Sequence, residues 1–509
     1  MALNYRPVDR DQPFLLPPDM RDWLPKDHLV WFILEVVAGL NTTVLHRRSR
    51  RGGIGREGYD PDMLLGLWIY ASARGISSSR QIERACSEDV AFRVLCGQDV
   101  PDHTVLARFR QHHQDAMADL FTQVLALCVS QGLGHFGMIS IDGTKIKANA
   151  SKDKTVSLAR LRKLAEQELQ KAEAVDAAED AAEVPAAGDD VPPGLGSGSD
   201  RKSRIAAAIK QVEELIEDEN APIIVKHLDR VAAAERRLAQ AMAENAASRA
   251  KYEQAVADNK RPSGGRPLEN NKSVRKARNG VAYAQKQLAA ARQKAAGQVA
   301  GGQVSKRKLA QRNITDPASR VMRTRSGYQQ AYNAQLAVAD DHLILVAEVT
   351  DQGADALQLI PIMTAVEEMT ARCAQLTGRT DVRVGTITAD SGYLSEENVA
   401  APGPDRLIAP GRGRIHDGQW VSKQENPRAT SQAAAVMLAK MADPANQALY
   451  RRRSVTVEPV NGHLKDRRGL RQFARRGLDA VDAELKLAAM TTNLMKLFTT
   501  TWRPAQTAT

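Results

Sequence analysis

The chain has 509 residues, enough for about three domains, and its 43% apolar and 26% charged residues match a folded globular protein and exclude wholesale disorder. Lys and Arg outnumber Asp and Glu by 71 to 60, a net charge of +11. Such an excess displaces counterions from phosphates, so a polyanion is the natural partner. Four scattered cysteines (Cys86, Cys96, Cys128, Cys373) form no Cys-x-x-Cys pair. That argues against a zinc ribbon or a disulfide framework and fits a reducing cytoplasm.

The N-terminus, with Asp9, Asp11 and several prolines, lacks a signal-peptide profile. Leu29 to Leu40 is apolar but is broken by Glu35 and is too short to span a bilayer. To about residue 135 the chain reads as helical. Pro61 to Tyr70 is too densely apolar for a surface helix and predicts a buried one. Ser77-Ser78-Ser79 offers caps for a following helix, and Cys96-Gly97 closes another. Pro101-Asp102-His103-Thr104 then opens a helix with a basic face. These two short helices fit a helix-turn-helix or an ordinary helical bundle equally well.

At Gly137 the pattern changes. Met138-Ile139-Ser140-Ile141-Asp142 is a buried-strand run ending in a carboxylate, and it continues with alternation to Ala148. Residues 153–302 are an Ala/Glu/Lys/Gln-rich island predicting long helices, with a flexible acidic linker at 173–200. Ile205, Ile209, Val212 and Ile216 form one coiled-coil seam; Val274, Val281, Leu288 and Ala295 repeat every seven residues in another. An antiparallel helical hairpin inserted into another domain is expected there.

Strand signals resume at Tyr328 to Val338, Leu343 to Val349, Val382 to Thr388 and Arg406 to Pro410. A helix lies at Ala356 to Leu376, and helices run from Thr430 to about Phe498. The sum is an α/β domain with a mixed sheet, split by a helical coil and preceded by an all-α region.

Three carboxylates stand where such a sheet gathers chemistry. Asp142 and Asp390 end strands, and Glu458 lies in a helix near the C-terminus. Acids at strand ends converge above a sheet, and a passing helix can add a third. Two hard divalent ions need several oxygen ligands each, which such a trio helps to supply, and two ions about 3.5–4 Å apart serve in-line phosphoryl displacement. Around Glu458, Arg451, Arg452, Arg453, Lys465, Arg467, Arg468, Arg471, Arg475 and Arg476 face only Asp466 as a further acid, a footprint suited to phosphates. Tyr450 offers a ring for stacking on a sugar or base. A second basic tract, Lys306-Arg307-Lys308 with Arg312, Arg320, Arg323 and Arg325, is a further DNA contact or a basic connector. Other chemistries fail on spacing. His112 and His113 are adjacent on a helix and point apart, and Gly301-Gly302 lacks the Gly-Lys-Ser/Thr of a phosphate loop.

Ile141-Asp142-Gly143-Thr144-Lys145 and Ala389-Asp390-Ser391-Gly392-Tyr393 resemble the first two acidic motifs of the DDE transposases of bacterial insertion sequences. Tyr450, Arg453, Glu458 and Lys465 resemble that group's Tyr–Arg–Glu–Lys signature, with four residues rather than the commoner three between Arg453 and Glu458. The resemblance implies an RNase H-like catalytic domain at 136–152 and 303–498. It implies Mg²⁺ as cofactor (two ions, with Mn²⁺ able to substitute) and terminal-repeat DNA as substrate. It also implies a DNA-binding helical domain at 1–135; the helical insertion read from composition is expected at 153–302 and a tail at 499–509. The expected protein cuts element ends and joins them to target DNA. It is expected to be a homodimer when DNA-bound, to make no membrane contact and to lie in the bacterial cytoplasm at the nucleoid. The alternative is a catalytically silent, transposase-derived DNA-binding protein.

Overall fold

The computed structural model describes residues 19–47, 58–157, 230–258, 267–300, 311–313, 315–324, 326–411, 413–416, 419–422 and 431–507, with isolated positions between. It divides into two compact units, Met1–Lys154 with Thr315–Thr509, and Thr155–Ile314.

The first unit begins with short helices: α1 (Leu29–Gly39), α2 (Thr43–His46), α3 (Pro61–Ala73), α4 (Ser79–Glu88), α5 (Val90–Leu95), α6 (His103–His112) and α7 (Met117–Ser130). Asp60, Asp89 and Asp102 accept backbone N–H groups at the starts of α3, α5 and α6, supplying partners that a first helical turn lacks. Ser78 precedes α4 but makes no capping bond, so the serine cap expected there does not form. The helix predicted from Pro61 is buried from Leu64 to Ser72, as its apolar density requires.

A six-stranded mixed sheet follows. Its strands are β1 (Met138–Lys147), β4 (Arg320–Thr324), β5 (Gly327–Ala339), β6 (Ile344–Thr350), β7 (Thr386–Ala389) and β8 (Arg406–Ile408). The lateral order is β4-β5-β1-β7-β8, with β6 also paired to β5. β5 runs antiparallel to β1, β4 and β6, whereas β7 is parallel to both β1 and β8. The strand expected from Val382 starts only at Thr386, because the partner strand β1 starts at Met138, and Met138 pairs with Thr386. β4 lies inside the stretch read as a basic tract, and Arg320 at its start bonds Asp351 at 2.7 Å and nearby carbonyls. That guanidinium is held within the fold rather than offered to DNA. A small hairpin, β9 (Gly413–His416) with β10 (Gln419–Ser422), was not legible as strands.

After the sheet's crossover helix α10 (Leu359–Thr377) and the short α11 (Glu396–Ala400), the chain ends in α12 (Gln432–Met441), α13 (Pro444–Asp466), α14 (Leu478–Leu497) and α15 (Arg503–Thr507). α14 is buried along most of its length and packs on β6, α3 and α7. Its Asn493 accepts from the Ile344 N–H and donates to the Ile344 carbonyl, satisfying both polar groups of that residue of β6.

In the second unit, β2 (Thr155–Ser157) pairs antiparallel with β3 (Gln311–Asn313). Helices α8 (230–257) and α9 (Lys272–Ala300) run antiparallel, joined by an Arg292–Glu235 ion pair of 2.7 Å. Val274, Ala284 and Leu288 are buried, and Ala277, Val281 and Ala291 are half-buried, among exposed neighbours. The acidic linker 173–200 and the seam from Ile205 to Ile216 lie outside the described residues.

Candidate active site

Strand register brings the first two acids together. Ile141 pairs with Ala389 across the parallel strands β1 and β7, so Asp142 and Asp390 follow side by side on neighbouring strands. Adjacent strands are about 4.8 Å apart. Two residues earlier, Ser140 and Thr388 share a buried hydrogen bond of 2.9 Å that ties this register. Asp390 then turns the chain, its Oδ1 accepting the Gly392 N–H at 2.7 Å. A Cβ on Gly392 would stand 2.9 Å from that oxygen, so the tight turn needs glycine.

α13 crosses β1, β5 and β7 and carries the third acid. Asn461, one turn after Glu458, donates to Asp142 Oδ2 at 2.9 Å, and Lys465 donates to Thr144 Oγ1. Pro459 sits inside this helix, where it cannot donate to the Val455 carbonyl. His342, at φ +69° in the β5–β6 turn, donates Nε2–H to that carbonyl at 2.9 Å. The neighbouring Asp340 pairs with Arg452. The turn therefore clasps the helix that presents Glu458.

The electrostatics of the site are lopsided. Burial pushes the Asp142 carboxyl up to about 6; Asp390, Asp355 and Glu458 push it the same way, and Arg453 opposes them. Arg453 is 14% exposed and stands 3.9 Å from Glu458, and its charge is held by Asp142, Asp390, Glu458 and Tyr450. Tyr450 packs its ring edge-on against Trp420, with centroids 5.8 Å apart. Three carboxylates thus share one arginine here, a fourth (Asp355) stands close by, and Asn461 Oδ1 is buried beside Asp142 without a hydrogen-bond partner. An excess of hard oxygen ligands and an orphaned acceptor suit a divalent cation. Among the described residues, the groups of three or more whose ligand atoms lie within 4.8 Å of one another are His46/Asp60/Asp62 and Glu83/Asp102/His103. Both contain aspartates already used as helix caps. Asp142, Asp390 and Glu458 do not form so tight a group.

Asp355, just after β6, was missed from the sequence. Its Oδ1 accepts from Lys145 (2.8 Å), Asn333 (2.8 Å) and Gln335 (3.0 Å). Gln335 in turn accepts from the buried Tyr393 hydroxyl at 2.5 Å. This network links β1, β5 and the Asp390 turn. The available signal was Asn333 and Gln335, two polar residues at alternate, fully buried positions of β5.

The expected phosphate contacts divide. Arg467 and Arg471 are exposed, the latter pairing with Asp466. Arg468 is 9% exposed and donates to the Ala73 carbonyl, so it pins the N-terminal helices instead of meeting DNA. Arg475 donates to Gln114, and its backbone N–H bonds the buried Glu484. It too is turned inward, because the N–H groups of Ala474 and Arg475 bond Glu484 and fix the segment against α14. Lys306, Arg307 and Lys308 lie outside the described residues.

A helical N-terminal region and a mixed sheet with two acids side by side on neighbouring strands are the parts of a transposase, and two family profiles agree. One described as Transposase domain (DUF772) matches residues 18–112, and one described as Transposase DDE domain matches 417–498. Both matches support a DDE transposase of an insertion sequence. The second match contains Glu458, while Asp142 and Asp390 fall between the two. No curated protein and no solved structure matches the chain. Among the described residues, no helix is long and apolar enough to cross a membrane.

Proposed function

We propose that this transposase binds the terminal inverted repeats of its element and cuts and joins DNA with Asp142, Asp390 and Glu458 as catalytic acids. The observation that carries the reading is the side-by-side exit of Asp142 and Asp390 in a field of surplus negative charge. The strand order, with β5 antiparallel and β7 parallel to β1, supports an RNase H-like domain at 136–152 and 303–498. The two antiparallel helices support reading 153–302 as a coiled-coil insertion that bridges partners. We assign residues 1–135 to end recognition, and pairing two ends calls for a homodimer on double-stranded DNA in the bacterial cytoplasm.

Asp142, Asp390 and Glu458 would hold divalent metal, Mg²⁺ in this family. When bound, two such ions stabilise the attacking and leaving oxygens of an in-line phosphoryl displacement. The remaining work falls to the chain itself. Asn461 fixes the orientation of Asp142, and Arg453 opposes the upward push that burial gives its carboxyl. Lys465, anchored at Thr144, offers a cation to the phosphate backbone beside the acids.

The test is incubation of the full chain and Mg²⁺ with plasmid carrying the DNA that brackets its gene. The wild type should nick and join the ends. Asp142→Asn and Asp390→Asn should bind the ends without cutting. Cutting by either variant at the wild-type rate removes the assignment, and binding without cutting by the wild type favours a silent DNA-binding protein.

A further inference from the structure

A second site lies at the far end of the catalytic strand. Beyond Ile146, β1 continues to Lys147 and into the turn Lys152–Lys154. The segment after α13 runs alongside: Phe473 N–H bonds the Lys147 carbonyl at 2.9 Å, Asn149 donates to the Ala474 carbonyl at 2.7 Å, and Arg476 donates back to the Asn149 carbonyl at 2.9 Å. Between these walls and β5 opens a cleft of about 610 Å³. Its lining holds four cations, Lys147, Lys152, Lys154 and Arg476, against the one carboxylate of Asp153. All four cations are exposed, as is the Tyr328 ring at the same rim.

Charge alone would make this an ordinary solvated surface. Two features argue otherwise. The cations line a concave space, where fields from one sign of charge are focused. The cleft is also rigidly registered to the catalytic strand, because Lys147 lies five residues beyond Asp142 on β1. At about 3.3 Å per residue that is about 17 Å along the strand, and the odd step turns the Lys147 side chain to the opposite face of the sheet from Asp142, so the cleft is reached around the strand's end.

We propose that this cleft holds the phosphodiester backbone of the DNA flanking the scissile bond. The proposal rests on the transposase reading and extends it. Lys147, Lys152 and Lys154 contact phosphates, and Tyr328 lies against a sugar or base. The contacts are sequence-independent and set the strand's path into the acids.

The experiment measures binding of a labelled random-sequence duplex to the full-length protein across about 50 to 200 mM salt. It compares the wild type with the triple variants K147Q/K152Q/K154Q and K147R/K152R/K154R, with thermal unfolding run alongside. Each phosphate contact contributes about 0.9 to the slope of log affinity against log salt. The Gln variant should therefore lose about 2–3 units of slope and bind at least ~10-fold more weakly, while the Arg variant keeps the wild-type slope. An unchanged slope in the Gln variant overturns the cleft and leaves the transposase reading standing. Equal losses in both variants overturn it as well, because charge would not be the cause. A wild type that binds no duplex at any salt overturns both.

Discussion

Substituting Gly143 tests how tightly the strand beneath the acids is packed. A Cβ at Gly143 would lie 2.4 Å from Gln335 Nε2, 2.5 Å from Asp355 Oδ1 and 3.2 Å from Asn333 Oδ1. These atoms are the ends of side chains, but hydrogen bonds to one another and to Lys145 and Tyr393 tie them down. Gly143→Ala must therefore push the network apart. Overpacking costs about 1–3 kcal/mol, and a displaced hydrogen bond to the Asp355 carboxylate adds about 1.5 kcal/mol or more. The expected loss is about 2–4 kcal/mol, read as a lower urea midpoint with unchanged slope, together with loss of DNA cutting. Gly462→Ala is the matched control. It lies on α13 with nothing within 4 Å of its added Cβ, and should gain up to about 1 kcal/mol. A Gly143→Ala protein as stable and active as the wild type would refute the packing argument.

Three further outcomes follow from the same geometry. His342→Ala should cost about 0.5–1.5 kcal/mol by losing the hydrogen bond to the Val455 carbonyl; in a Pro459→Ala background, where residue 459 regains an N–H, the cost should vanish, and equal costs in both backgrounds would contradict the clasp. Asp341 accepts the N–H groups of Gly134 and His135 and faces Lys496 at 3.7 Å; although burial works the other way, these partners hold its carboxyl below the usual range. A lowered folded value means its stabilisation is present above the unfolded value of about 4 and is lost as pH falls through the folded value. Denaturation between pH 7 and pH 3 should show Asp341→Asn less acid-sensitive than the wild type. Arg453→Gln removes the cation shared by Asp142, Asp390 and Glu458, and cutting should fall at least ~10-fold while binding of the element's ends persists; wild-type turnover would show Arg453 to be dispensable.

Much of this architecture could be read from period and punctuation. The apolar run into Asp142, the strands around Val338 and Val346, and the buried helix at Pro61 each carry enough local signal to survive packing. The approach of Asp142 to Asp390 was legible too, because acids that close apolar runs tend to converge over a sheet, although β1 runs on past Asp142 to Lys147. What escaped is non-local. Asp355 gains meaning only when β5 brings Asn333 and Gln335 beneath Gly143. Arg468 and Arg475 look like their exposed neighbours in sequence, and only the packing of the N-terminal helices and α14 turns them inward. His342 cannot be linked to Pro459 from spacing, since 117 positions separate them and only the fold closes the gap.

The central claim is that the three acids share divalent cations. It is tested most directly by diffraction from crystals of the full chain bound to end DNA and soaked in Mn²⁺. The anomalous map should show two peaks bounded by Asp142, Asp390 and Glu458 and touching one phosphate of the DNA. Peaks seated elsewhere on the protein, with those three carboxylates bare, would contradict it.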